Sequence, residues 1–214
     1  MDSDVIIRNE NEGDFRTVEL LVREAFWNLY VPGCNEHFVL HNLRKSADFI
    51  RELDFVAEKE GQIVGQIAYS RGLITDDKGA RHDVVVFGPV SVLPELQKQG
   101  IGGRLIVHSI DAARTMGFAA ICIYGDPRYY SRFGFRCAEK YDIKTADGKY
   151  AVALQALELK PDALKNMPGS FIESPAFEVD ETEFSKFEAR FPFKEKKADL
   201  ESQRQFRVLA SLRY

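Results

Sequence analysis

The run Gln97-Lys98-Gln99-Gly100-Ile101-Gly102-Gly103-Arg104 places three glycines within four residues. A β-branched stretch (Val84, Val85, Val86, Val90, Val92) precedes it and stops at Pro94, and Leu105, Ile106, Val107 and Ile110 follow at helical spacing. The pattern is strand, loop, helix. Glycines at the joint let a ligand come close to the backbone, and the first helical N–H groups have no partner inside the helix. Such a terminus attracts phosphate through its free donors and the positive end of the helix dipole, with Lys98 and Arg104 adding charge. A Walker loop needs Gly-Lys-Ser/Thr, and the dinucleotide fingerprint needs Gly-x-Gly-x-x-Gly opening a parallel βαβ unit. Neither fits this run.

Gln97-Lys98-Gln99-Gly100-Ile101-Gly102 resembles the Gln/Arg-x-x-Gly-x-Gly/Ala pyrophosphate loop of the GCN5-related N-acetyltransferase (GNAT) superfamily. That loop follows a strand ending in Val-x-Pro, here Val92-Leu93-Pro94. Further on, Tyr129-Tyr130-Ser131-Arg132-Phe133-Gly134-Phe135 is similar to the family's Phe/Tyr-Tyr-x-x-x-Gly-Phe segment and follows an apolar strand over residues 118–124. The resemblance covers roughly residues 4–160. It implies an α/β fold with a twisted, mostly antiparallel sheet of six to seven strands, helices on both faces, and a V-shaped opening between strands four and five.

The resemblance also implies acetyl-coenzyme A as cosubstrate. Gln97, Lys98, Gln99, Gly100, Ile101, Gly102, Gly103 and Arg104 would receive the pyrophosphate, and backbone groups of Val90, Ser91 and Val92 would pair with the pantetheine amides as an added strand. The Val92 amide would face the oxyanion. Tyr130 would touch the cofactor and protonate the departing thiol; a tyrosine that only packs against the cofactor is the other role open to it. In the family the segment joining the first two helices lines the acceptor site, and here it holds Trp27, Tyr30, Asn35, Glu36 and His37. The implied activity is acetyl transfer to a primary amine of a small molecule or protein by direct attack on the thioester. A noncatalytic acyl-coenzyme A sensor is the alternative, and an ATP-using enzyme is disfavoured by the missing Gly-Lys-Ser/Thr.

An attacking ammonium must lose a proton, and no motif names the group that takes it. Glu36, His37, His41 and His82 are candidates by residue type alone. Asp126 before Pro127 reads as a helix cap. Four scattered histidines and three scattered cysteines show no zinc spacing, so no metal is expected.

These residues must be held by a sequence of elements. Residues 5–8 read as a strand, and Glu12-Gly13-Asp14 opens an amphipathic helix through Phe15, Val18, Leu21, Val22 and Phe26. A second helical pattern runs over residues 36–51, with a break near Ser46. Residues 55–58 and 63–69 flank a turn at Gly61, and a further turn at Gly79 leads into the strand over 82–92, giving an antiparallel meander. Residues 141–145 and 150–157 read as a terminal hairpin. Beyond Pro161 the pattern loosens into a stretch with Phe171, Phe177, Phe184, Phe187, Phe191 and Phe193, then a helical tail over 198–214. The aromatics are expected to dock on the domain and complete its core, with a roof over the acceptor pocket or a dimer contact as the other possibilities. The expected organisation is a domain over residues 1–160 and an extension over 161–214.

At 214 residues the chain suits one such domain with an appendage. Its net charge of −4 and lack of a basic cluster argue against a nucleic-acid partner. No apolar run approaches a membrane span, and no basic-then-apolar leader opens the chain. Cys34, Cys122 and Cys137 lack paired spacing and read as reduced thiols, so the expected compartment is the cytoplasm. The expected state is a monomer or homodimer.

Overall fold

Branched side chains pack well on a pleated surface, and the amphipathic runs between them coil. In the computed structural model, which describes residues 5–214, these segments form β1 (Val5–Asn9), α1 (Phe15–Phe26), α2 (Glu36–Leu43), β2 (Phe49–Lys59), β3 (Gln62–Thr75), β4 (Arg81–Val92), α3 (Ile101–Thr115), β5 (Ala120–Tyr124), α4 (Pro127–Tyr130), β6 (Arg136–Cys137), β7 (Ile143–Lys144), β8 (Leu154–Glu158), β9 (Gly169–Ile172), α5 (Glu181–Glu188) and α6 (Glu201–Ser211). The sheet path is β1-β2-β3-β4-β5-β8-β6, seven strands, with β9 joined to β3 and β7 joined to β9 beside that path. Pairing is antiparallel except for β4 with β5 and β7 with β9.

The period of two sends side chains to both faces of this sheet. Val56 and Ala68 pack with Val18, Val22 and Phe26 of α1 and Leu40 of α2. Their chain neighbours Phe55, Ala57, Ile67 and Tyr69 join Leu105, Ile106 and Ile110 of α3 in the larger core. Cys34 and Cys122 are buried and Cys137 half-buried, all as free thiols. Among the described residues no helix is long and apolar enough to cross a membrane.

Two expected elements differ. The helix expected over 36–51 stops at Leu43, because the Ser46 hydroxyl accepts the Asp48 amide at 3.1 Å and turns the chain into β2, where Ile50 lies opposite Tyr69. The hairpin expected over 141–157 does not form. Its turn is present, with the Thr145 amide donating to the Lys149 carbonyl, but β8 pairs with β5 over five residue pairs and β7 pairs with β9.

The C-terminal segment is woven into this sheet. Residues 71–75 of β3 run past the point where β2 begins, leaving a bare edge, and β9 covers it with Phe171 opposite Ile74. Phe171, Phe187 and Phe191 are buried, whereas Phe193 is 95% exposed. Phe187 and Phe191 pack on Phe38 of α2. Between them Glu188 receives the Arg23 guanidinium at 2.5 Å and the His37 Nε2–H at 2.8 Å. His37 is fully buried, and desolvation lowers its pKa to about 4 despite the carboxylate beside it. A buried cation stripped of its counterion is costly, so Glu188→Ala should lower unfolding free energy by about 3–5 kcal/mol in urea melts. The His37 pKa falls on folding, so this site's contribution is present above the unfolded value of 6.5 and is lost as pH falls toward 4. Melts across that window should show it, and His37→Asn should remove the dependence.

Candidate functional site

β4 is the element on which the site is built. From Arg81 to Phe87 it pairs regularly with β3, but between the pairs Tyr69↔Phe87 and Ile67↔Val90 a single residue, Ala68, faces two, Gly88 and Pro89. That is a β-bulge, which bends the strand and leaves ladder groups unmatched. The fully buried Gln66 amide supplies the missing bonds: its nitrogen donates to the Pro89 carbonyl (3.1 Å) and Ser91 Oγ (3.2 Å), and its oxygen accepts the Ala68 N–H (3.1 Å).

Past the bulge the direction of each backbone group follows from alternation. The Leu93 amide donates to the Val64 carbonyl, so the groups of Leu93 and Ser91 face β3 while those of Val90 and Val92 face away. On that outer side β5 pairs with β4 only at Val85↔Ile121, and the two strands separate beyond it. Gln97 Nε2 donates to the Val92 carbonyl at 3.1 Å, which leaves the Val92 N–H directed into the gap.

The glycine loop ends in a tight backbone. Lys98 has φ +61° and Gly100 φ +87°, the latter a left-handed position that favours glycine. The Arg104 amide bonds the Gly100 carbonyl, so the helical ladder begins there, and among the described residues the amides of Gly100, Ile101, Gly102 and Gly103 have no backbone acceptor. A β-carbon on Gly102 would meet only Tyr129 Oη and Val92 Cγ2, each at 3.5 Å, and one on Gly103 only the Phe133 ring at 3.7 Å. Neither glycine has a left-handed φ or a crowded side. Their bareness serves access to the amides.

Across the gap, the Asp126 side chain caps α4 by accepting the Arg128 amide, and Arg128 also clasps its carboxylate, holding it below the ordinary range. Tyr130 lies on Gly125, where a β-carbon would stand 2.2 Å from the ring, and is flanked by Phe87 and Phe135. Burial raises the Tyr130 hydroxyl well above the usual phenol value, with Tyr30, Tyr129 and Tyr69 adding to the shift. It is a fixed, protonated donor at physiological pH.

A cleft of about 1100 Å³ connects these parts. It is lined by Val90, Val92, Gln97, Lys98, Gly100, Ile101, Gly102, Gly103 and Tyr130 of the expected site. Three expected residues are elsewhere. Ser91 turns its backbone and hydroxyl toward β3, Gln99 bonds the Glu95 carbonyl, and Arg104 reaches β1 to donate to the Val5 carbonyl at 2.6 Å. In the acceptor segment Tyr30 and Glu36 line the cleft, whereas Trp27 donates to the Glu195 carbonyl and His37 lies under α5. His41 bonds Glu19 at 2.8 Å.

The ends of the cleft differ in charge. Lys98, Arg132 and the start of α3 make one end positive; Glu36 and Glu173 occupy the other, beside Phe26, Tyr30, Tyr124 and Phe177. Desolvation raises the carboxyl pKa of Glu36, with donors such as the Asn35 amide at 3.0 Å opposing it, and raises that of Glu173 to about 7. Glu173 and Phe177 come from the C-terminal segment; Phe177 belongs to the aromatic stretch for which a roof over the acceptor pocket was one possibility, and no sequence pattern marked Glu173.

The acetyltransferase (GNAT) domain model matches residues 51–137. YhbS of Escherichia coli K-12, an uncharacterized N-acetyltransferase, is 31% identical over 166 residues, which span 77% of this chain and 93% of YhbS. The chain belongs to the GNAT family of N-acetyltransferases. Two solved members share its fold. Escherichia coli YhbS in complex with CoA superposes with TM-score 0.73 at 28% identity, covering 83% of this chain and 93% of that one. A Brucella melitensis GNAT family acetyltransferase in complex with acetyl-CoA gives 0.66 at 30% identity, covering 82% and 99%.

Two glycines separate access from packing. Gly102→Ala should be neutral or stabilising by up to about 1 kcal/mol on helix propensity. Gly125→Ala should cost about 1–3 kcal/mol by forcing the Tyr130 ring aside. Urea melts of the two variants compare them directly.

Proposed function

We propose that this GNAT protein transfers an acetyl group from acetyl-coenzyme A to a primary amine by direct attack on the thioester. The observation that carries this reading is the alignment of three features in one cleft: the unbonded amides of residues 100–103, the free N–H groups of Val90 and Val92, and the hydroxyl of Tyr130. The amides and the positive start of α3 suit a pyrophosphate. Val90 and Val92 suit the pantetheine arm as an added strand, and Ser91, turned toward β3, takes no part in it. The Val92 N–H suits the developing oxyanion, a contact worth about 2.7–4 kcal/mol when preorganised.

Tyr130 is the donor for the leaving sulfur. A phenol held this far above its usual value gives up its proton only to a base of comparable strength, and a thiolate expelled into the same dry cleft is strengthened by the same loss of water. Tyr130 therefore hydrogen-bonds the sulfur as its charge grows and protonates it late. The division into a catalytic unit over 1–160, of which residues 1–4 lie outside the described ones, and an extension over 161–214 belongs to this reading. The extension adds β9, Glu173 and Phe177 to the unit.

Gly102→Leu should abolish acetyl-coenzyme A binding in calorimetry while the protein stays folded. Retained affinity would place the phosphates elsewhere. Tyr130→Phe should lower turnover at least tenfold, the lower side of general acid effects, without weakening acetyl-coenzyme A binding. Steady-state kinetics with coenzyme A release as the readout decides it, and unchanged turnover removes the donor role.

A further inference from the structure

Glu173 stands out once the cleft is divided by charge. It follows β9, whose pairing with β3 (Ile172↔Leu73, Phe171↔Ile74) fixes where it enters, and Ser174 behind it caps the next turn by accepting the Ala176 amide. Its side chain is half-buried in the cleft wall and, among the described residues, has neither a hydrogen bond nor an ion pair. Every other carboxylate of the cleft is engaged: Asp126 by Arg128, Glu36 by the Asn35 amide at the start of α2. Tyr124, at the end of β5 and next to the Gly125 that carries Tyr130, lies close enough to feel the Glu173 charge after the larger effect of its own burial. The unpartnered carboxylate and the sulfur donor thus line one cleft.

We infer that Glu173, supplied by the C-terminal extension, is the residue that takes the proton from a cationic primary amine carried on a compact apolar body. The inference rests on the acetyl-transfer reading above. Phe26, Tyr30, Val39, Tyr124 and Phe177 form apolar walls around two acidic groups, a lining that suits an ammonium with a flat or aliphatic body and disfavours an amine bearing phosphate or carboxylate. Glu36, held by backbone donors, anchors the ammonium, and Glu173, with none, accepts its proton.

The protons balance as follows. The ammonium gives one proton to Glu173, which passes it to solvent; the freed lone pair forms the C–N bond. The nitrogen then loses a second proton while the C–S bond breaks, and the sulfur gains one from Tyr130, which is reprotonated with that second proton. The net change is an amide, free coenzyme A thiol and one proton released.

The groups facing Glu173 leave few rivals for a pH effect. Tyr124 on β5, Tyr30 and Tyr130 are raised above the ordinary phenol value, Asp126 is held low, and Arg213 behind Tyr124 is paired with Asp147. Glu36, whose carboxyl burial also raises, and Glu173 are the cleft carboxylates left to carry a pH effect. A base with a pKa near 7 is inactive below it, so kcat/KM should rise through that value and level off above it.

The test uses two probes of one shape, 2-phenylethylamine, which is cationic at neutral pH, and O-benzylhydroxylamine, which is neutral there. Glu173→Gln should lower kcat/KM for 2-phenylethylamine about a hundredfold, within the range of general base effects, and abolish the rise near pH 7. The loss for O-benzylhydroxylamine, which arrives without that proton, should stay under about tenfold, and acetyl-coenzyme A affinity should hold. The variant should also melt higher than wild type above pH 7, because a carboxyl whose pKa rises on folding costs stability as pH climbs past 4.5. Glu36→Gln should raise KM for 2-phenylethylamine and keep the pH rise. A pH rise that survives in Glu173→Gln, or that vanishes in Glu36→Gln instead, overturns the assignment. Acetyl-coenzyme A binding with neither probe acetylated overturns the acceptor class alone, and no acetyl-coenzyme A binding overturns the acetyl-transfer reading itself.

Discussion

A strand can offer its edge to a ligand only if its neighbour is kept away and its own polar groups are not left stranded. In this protein both conditions meet at the bulge of β4. Two residues facing Ala68 bend the strand, β5 touches it at one pair, and the Gln66 amide takes up the bonds the bulge breaks. A buried unmatched carbonyl and amide would each cost about 1–3 kcal/mol, so one side-chain amide makes the open geometry tolerable. The glycine loop, the Val92 amide and Tyr130 are all placed relative to that opening.

The cleft combines two opposite electrostatic requirements. Its α3 end presents N–H donors, Lys98 and Arg132, while its far end holds carboxylates in surroundings that resist their ionisation. A polyanionic cosubstrate would be drawn to the end that presents the donors and cations. Between the ends the walls are aromatic, and Tyr130 is held there by ring packing against Phe87, Phe135 and the bare Gly125, with no hydrogen bond among the described residues directing its hydroxyl.

What could be read from the sequence was what is written locally. Gly100, Gly102 and Gly103 between a valine-rich strand and an amphipathic run announce a helix start with free donors, and the two motifs around it imply the family and its sheet. Local pattern also misled. Arg104 looked like part of the anion site because it adjoins the glycines, yet its amide enters the helical ladder and its side chain turns to β1. Ser91 looked like part of the exposed edge, yet alternation gives it to β3. Glu173 carried no signal because its position is set by the pairing of β9 with β3, about a hundred residues upstream, and His37 was hidden for the same reason, its partner Glu188 lying on α5.

The C-terminal segment closes a circuit around the fold. After Phe193 the chain returns to the first helix, where Trp27 and Asn28 donate to the Glu195 carbonyl and Gln203 donates to the Asn28 carbonyl. Phe206 of α6 stacks on Tyr30 at 4.8 Å, and Tyr214 exchanges backbone hydrogen bonds with Tyr150. The acidic end of the cleft therefore joins Tyr30 and Glu36, before β2, to Glu173 and Phe177, after β9. During synthesis the glycine loop emerges ahead of Glu173 and Phe177, so the acceptor chamber gains its last walls after the residues that face the cosubstrate already exist.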